Sequence, residues 1–186
     1  MKIYVKNMVC RRCKIVVKAV LDQLKINYVA INLGEIELAG DLTKGERKLL
    51  VDEFKLVGFE LINDEKSKTI ERIKTLIIDL VHHQNNQLTY PLSEYLSKDL
   101  LQSYAALSSL FSEVEQQTIE QFYIAQKIER VKELLVYGEL TLSQIALDLN
   151  YSSTGHLSSQ FKKVTGFTPT YFKQLKDKKR KQIEEL

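Results

Sequence analysis

A segment of this chain occurs twice, at an offset of fifty residues. Ser103, Leu107, Ser108, Ser109 and Phe111 lie over Ser153, Leu157, Ser158, Ser159 and Phe161. The register continues through Val114/Val164, Thr118/Thr168 and Phe122/Phe172. Upstream it holds at Leu92/Leu142 and Ser93/Ser143, with apolar Tyr95 and Leu96 over Ile145 and Ala146. A fixed offset of this kind means one supersecondary unit used twice. The C-terminal half must therefore fold as two similar units in tandem.

The second copy spells out what the unit is. Leu142, Ile145, Ala146 and Leu149 recur at i, i+3, i+4 and i+7, the apolar stripe of a short helix. Thr141 and Gln144 have the spacing of a capping box at its start. Asn150 and Tyr151 interrupt it, and Ser152 or Ser153 caps the next helix. That helix is expected to bury Leu157, Phe161 and Val164 and to stop at Gly166, the usual left-handed terminator. Thr168-Pro169 opens a third helix, with proline in the first turn where its missing N–H costs nothing.

Two short helices, a tight turn and a polar outer face form the DNA-reading arrangement. Any helical bundle shows similar stripes, so the weight falls on the duplication and on the exposed residues. Ser158, Ser159, Lys162 and Lys163 occupy the outer face of the second copy, and Thr154 and Gly155 leave its start open to close approach. Ala105, Ser108 and Ser109 take the corresponding places in the first. Hydroxyls suit base edges or phosphates, and lysines neutralise phosphates.

The run from Leu142 to Leu149, followed by Leu157 to Pro169, resembles the second helix-turn-helix of the AraC/XylS transcriptional regulators. Ile128 to Leu135 resembles the helix that joins their two motifs. The resemblance covers roughly residues 91–175. It implies two motifs reading successive major grooves of a double-stranded DNA operator, with RNA polymerase and a second copy of the chain as further partners. A connecting helix from Thr118 to Tyr137 would span about 28 Å at ~1.5 Å per residue, approaching the ~34 Å between grooves on one face of the duplex. Three positions depart from the family. Ser109 and Ser159 stand where arginine or another long polar side chain is common, so bidentate guanine contacts are not available there. Gln116 replaces a usual glycine. Readout is therefore expected to lean on DNA shape and phosphates.

The net charge of +3 hides an asymmetry between the copies. Residues 91–150 hold four basic and nine acidic side chains, whereas 151–186 hold eight basic and three acidic. Lys163 corresponds to Glu113, with Glu115 close by. The basic run Lys176 to Lys181 is either a solvated helical end or a phosphate-contacting segment. The acidic first copy is either a solvated face or an interface for a basic partner.

Residues 1–64 follow another pattern. Ile3 and Val5 alternate with Tyr4 and Lys6 as a strand, and Cys13, Val16, Val17, Val20, Leu21 and Leu24 follow at helical spacing. Val29, Ile31 and Leu33, a turn at Gly34, then Ile36 and Leu38 form a hairpin. Leu50, Phe54 and Val57 mark a second helix stopped by Gly58, and residues 59–62 form the last strand. The order βαββαβ is that of the ferredoxin-like split βαβ motif. Lys2 and Lys6 sit inside the strand pattern, so no signal peptide is expected. No apolar run approaches the ~20 residues of a membrane span, and the expected location is the cytoplasm.

Both cysteines lie between the first strand and first helix, as Cys10-Arg11-Arg12-Cys13. A helix N-terminus and adjacent arginines favour the thiolate. Two thiolates two residues apart suit a soft ion, Cu(I), or Zn(II) with additional ligands. The motif in this position resembles that of heavy-metal-associated (HMA) domains, with signature Gly-Met-Thr-Cys-x-x-Cys. The resemblance spans residues 1–64; Asn7 and Val9 depart from it, and Met8, both cysteines and Phe59 agree. Cys13 also lies on the apolar stripe, so a core role, a redox dithiol and an inert partner-binding module stay open.

Ile70, Ile73, Ile77 and Leu80 mark a linking helix over 66–83, read as packing against a domain or as a short coiled coil. His82 and His83 are an exposed helix end or a ligand pair, and Gln84 to Gln87 form a polar linker. The expected architecture is an α+β ferredoxin-like, HMA-like domain (1–64), a linking helix and linker (65–87), and an all-α tandem helix-turn-helix domain (88–186). The expected function is a non-enzymatic transcriptional regulator responsive to a soft metal at Cys10 and Cys13. A metal carrier delivering copper is the rival, but it has no use for an all-helical second half. DNA-repair methyl transfer would need a zinc-held acceptor cysteine, and two cysteines cannot make a four-thiolate site.

Overall fold

The computed structural model describes residues 1–62 and 64–175. The basic run from Lys176 lies outside the described residues. The chain forms two compact units, one of residues 1–76 with 96–110, the other of 77–95 with 111–186.

In the first unit, β1 (Lys2–Lys6), α1 (Arg11–Gln23), β2 (Tyr28–Asn32), β3 (Glu35–Leu38), α2 (Lys44–Leu56) and β4 (Glu60–Ile62) follow in order. The four strands make one antiparallel sheet in the order β2-β3-β1-β4. Ile3, Val5, Ile36 and Leu38 meet Val17, Val20, Leu21, Leu50 and Phe54 in a sealed core. Thr43 and Glu46 close a capping box that starts α2. Three positions differ from the sequence pattern. A bulge between Tyr28 and Ala30 breaks the β2 alternation, turning Val29 out to 67% exposure while Tyr28 and Ile31 pack on the core. Val16 and Val57 also stay partly exposed, because Val17, Val20 and Leu21 already fill the space under α1 and Val57 caps α2.

Helix α3 (Glu65–His82) follows, then α4 (Leu92–Leu100), α5 (Tyr104–Glu115), α6 (Ile119–Tyr137), α7 (Leu142–Asp148) and α8 (Thr154–Thr165). The repeat in sequence is a repeat in structure. Leu107 and Phe111 are fully buried, as are Leu157 and Phe161. Phe111 packs against Phe122 with ring centroids 5.7 Å apart, and Phe161 against Phe172 at 5.6 Å. After each helix comes a left-handed residue, Gln116 at φ 53° and Gly166 at φ 81°. The register therefore demands positive φ, which glycine adopts freely and glutamine only under strain. Thr118 then caps α6 through a box with Gln121, and Gly138 ends that helix in the left-handed conformation.

Ile124, Lys127, Ile128 and Val131 line one stripe of α6, so a lysine occupies an apolar position. Its ammonium lies 3.6 Å from the ring centroid of Tyr151 and 5.5 Å from that of Tyr123. Burial lowers its pKa to about 8. The folded pKa is below the unfolded value, so the folded state resists protonation and is least stable where Lys127 must be charged. Stability from this group should rise as pH climbs from about 8 toward ~10.4. Lys127→Met should raise stability at pH 7 and remove that part of the slope. Urea midpoints for both proteins between pH 7 and 10 measure it, and parallel curves would refute it.

Candidate nucleic-acid interface

Ser153 begins α8, its hydroxyl accepting the His156 N–H at 3.0 Å. Burying Leu157 and Phe161 fixes which side of α8 meets water. Gly155, Ser159, Lys162 and Lys163 are exposed on the remaining face, whereas Thr154 and Ser158 are half-buried at its flank. In α5, Ser103 caps by accepting the Ala106 N–H at 3.3 Å. Ala105 and Ser109 are exposed and Ser108 is half-buried, as at their counterparts fifty residues on. Each face thus presents a small residue beside one hydroxyl, which allows backbone-close approach and short polar contacts but no long-reach readout.

Val164, expected in the core, is 48% exposed. It lies beside Gln160 and Lys163 in a cavity of about 540 Å³ that Ile124 and Ala125 of α6 also line. Phe161 already satisfies the apolar contact at that end of α8. One residue on the helix went unread in the sequence. His156 is exposed, its Nδ1 lies 3.0 Å from the Ser152 hydroxyl, and its ring meets Tyr151 edge-on at 5.4 Å. Tyr151 in turn donates to Gln160 Oε1 at 2.8 Å. The turn before α8 is thereby tied to the first turn and the middle of the helix, and the Ser-x-x-x-His spacing was its only sequence signal.

The two copies differ in charge. Lys162 and Lys163 stand in the last turn of α8, whereas Glu113 is exposed near the end of α5. A carboxylate on a face that meets phosphates weakens binding at a distance set by ionic screening.

The thiol pair forms a separate site. Cys10 is the N-cap of α1, and its sulfur lies 3.3 Å from that of Cys13. The Cys13 backbone N–H at the open helix end holds the Cys10 thiol below its ordinary pKa, against the opposing effect of burial, and the Arg12 guanidinium adds to the depression. Cys13 packs at the rim of the sheet core, and Met8 is buried in it. Asn7, where the signature has glycine, sits at φ 72° and donates from Nδ2 to the Gly58 carbonyl at 3.1 Å. Asparagine tolerates this conformation better than other non-glycine residues, which accounts for the departure. His82 and His83 are engaged elsewhere, His82 Nε2 with Gln126 Oε1 at 3.2 Å and His83 Nδ1 with Asp79 at 3.2 Å.

The helix-turn-helix domain family matches residues 96–174. Among solved structures, the C-terminal domain of AraT, a response regulator from Geobacillus stearothermophilus, is 23% identical with a TM-score of 0.51, covering 60% of this chain and 88% of that one. A transcriptional regulator with an AraC-type DNA-binding domain from Chromobacterium violaceum is 19% identical at a TM-score of 0.51, covering 61% and 96%. A DNA-binding transcriptional dual regulator from Escherichia coli K-12 is 20% identical at 0.51, covering 63% and 99%. Residues 96–174 have a helix-turn-helix fold, shared with these structures. No curated protein matches the chain.

Changing Lys162 and Lys163 of this helix-turn-helix domain to alanine should weaken DNA binding across all sequences and flatten the salt dependence by about 0.9 per lost phosphate contact. Filter binding from low to moderate salt reads both, and an unchanged slope would remove these lysines from the interface. Glu113→Lys should strengthen binding, most at low salt. Weaker binding by this variant, with equal footprints over both half-sites, would contradict the unequal roles of the two copies.

Proposed function

We propose that this chain is a sequence-specific transcriptional regulator whose tandem helix-turn-helix grips an operator while its N-terminal domain responds to a soft metal ion through Cys10 and Cys13. The observation that carries the DNA-binding part is the repeated solvent face, small residue and serine over a sealed leucine–phenylalanine pair, present in α5 and again in α8. Gly155, Ser159, Lys162 and Lys163 would meet the duplex most directly, with Thr154 and Ser158 at the flank and Ala105, Ser108 and Ser109 in the weaker first copy. Among the described residues no helix is long and apolar enough to cross a membrane. A cytoplasmic regulator fits that observation.

The strand order β2-β3-β1-β4 with α1 and α2 supports a ferredoxin-like reading of the N-terminal domain. The donor set supports the metal reading. Two neighbouring thiols that need to part by only about an ångström to share an ion, one of them with a depressed pKa at a helix end, suit an ion content with two soft ligands. Among the described residues no group of three or more His, Cys, Asp or Glu side chains is placed to hold a metal. Zn(II), which takes four ligands, would need donors from outside this set, so Cu(I) fits better. When bound it would supply a charge and a fixed link between the two sulfurs.

Metal must bind the DNA-competent form differently from the other form, since a ligand shifts an equilibrium only by its differential affinity. Operator affinity should change about 5- to 150-fold on adding Cu(I) under reducing, oxygen-free conditions, the range of ordinary coupling. Cys10→Ser/Cys13→Ser should abolish the change. Four identical affinities would remove metal sensing and leave the DNA-binding function standing. A metal effect that survives loss of both thiols would place the site elsewhere.

A further inference from the structure

The thiol loop, the N-terminal part of α3 and residues 96–110 of the first helix-turn-helix copy belong to one compact unit. Within it, α3 is docked on the sheet along one face. Lys68 lies 5.2 Å over the ring of Tyr4. Glu71 is only 8% exposed and accepts the Asn7 backbone N–H at 3.2 Å. Thr75 closes on Gly34 so tightly that a Cβ there would come within 2.8 Å of its hydroxyl oxygen. Positions 68, 71 and 75 share a helix face. Arg72, on the neighbouring face, reaches Asp99 of α4 with an N–O distance of 2.9 Å.

Asn7 is where this docking meets the thiols. Its N–H goes to Glu71, its side chain to Gly58, and its carbonyl accepts from the Cys13 thiol at 3.9 Å. All three contacts are held at a left-handed φ of 72°. The present sulfur separation of 3.3 Å does not suit a bridging metal. At about 2.3 Å from each sulfur, a metal would set them about 3.8 Å apart in tetrahedral and about 4.6 Å in linear geometry. Ligation, with the thiol protons passing to solvent, therefore moves Cys10 or Cys13 and withdraws the contact on the Asn7 carbonyl. The next link is a hydrogen bond to a carboxylate nearly sealed from water, where the loss of a donor is costly.

We propose that α3 carries the state of the thiol loop to the first helix-turn-helix copy, with Asn7–Glu71 as the input contact and Arg72–Asp99 as the output contact. This rests on the reading of Cys10 and Cys13 as the ligand site. It adds that the first copy is the one that responds. Arg72 and Asp99 are both substantially solvated, so either can be changed to alanine with little risk to folding.

The test is amide hydrogen exchange on full-length wild type, Arg72→Ala and Asp99→Ala, each with and without Cu(I) under reducing, oxygen-free conditions. In wild type, Cu(I) should alter exchange both at residues 7–13 and at 96–110, the latter by up to about fivefold, the ceiling for an exposed ion pair. In either variant the change at 7–13 should persist and that at 96–110 should disappear. A response at 96–110 that survives both substitutions overturns the proposal, as does a wild-type response confined to 7–13. No response even at 7–13 would instead remove the metal reading. In that case metal-free Cys13→Ala, which breaks the Asn7 contact directly, decides the coupling. Exchange at 96–110 altered in Cys13→Ala but restored in Cys13→Ala/Arg72→Ala upholds it, and exchange unaltered in both overturns it.

Discussion

The second helix of each repeated unit is held by a phenylalanine at its middle, Phe111 against Phe122 and Phe161 against Phe172. These contacts orient the helices about their own axes. Once Leu107 and Phe111, or Leu157 and Phe161, face inward, the residues that face water follow from the helical period. Ser109 and Ser159 have no choice of side. The aromatic pairs contribute more than area, because rings a few ångströms apart, tilted in the first copy and edge-on in the second, prefer a defined angle and so limit the roll of the helix. The proposed reading of DNA depends on that limit, since a helix that rolls presents different atoms to the groove.

The two copies were built alike and have diverged in what surrounds this common frame. Gly166 ends α8 without strain, whereas Gln116 ends α5 in the same left-handed region at some cost. Lysines close α8, and Glu113 lies at the corresponding end of α5. Beneath the second copy, Lys127 is held between the rings of Tyr123 and Tyr151. Tyr123 in turn donates to Asn86, whose amide donates to the Leu149 carbonyl at 2.8 Å. The second copy thus rests on a buried polar network that a simple apolar stripe would not need. Such networks specify one arrangement when every member is satisfied.

The N-terminal domain shows the same economy at Asn7. A glycine would reach φ 72° freely, but it would have no side chain to donate to Gly58. Asparagine accepts the strained conformation and gains a hydrogen bond that locks the loop ahead of Cys10. The departure from the signature is therefore a substitution of restraint for freedom at the base of the thiol loop.

The repeat, the capping box at Thr141, the stop at Gly166 and the order of strands and helices in residues 1–62 were all legible in the sequence. Each is decided within a few residues of the chain by periodicity, capping or backbone preference, and local rules reach that far. The outward turn of Val29 was not legible, because a bulge shifts the register by one residue and pairing partners decide where it falls. Nor was the exposure of Val164, which depends on how much of the groove Phe161 already fills. Lys127 sat visibly on an apolar stripe, but only the approach of Tyr151 from another element showed what receives its charge. The sequence by itself determined the elements and the kind of face each helix would offer. The tertiary structure alone decided that Glu71 meets Asn7 and Arg72 meets Asp99, because contacts between residues 64 and 27 positions apart are set by packing, which no local preference encodes.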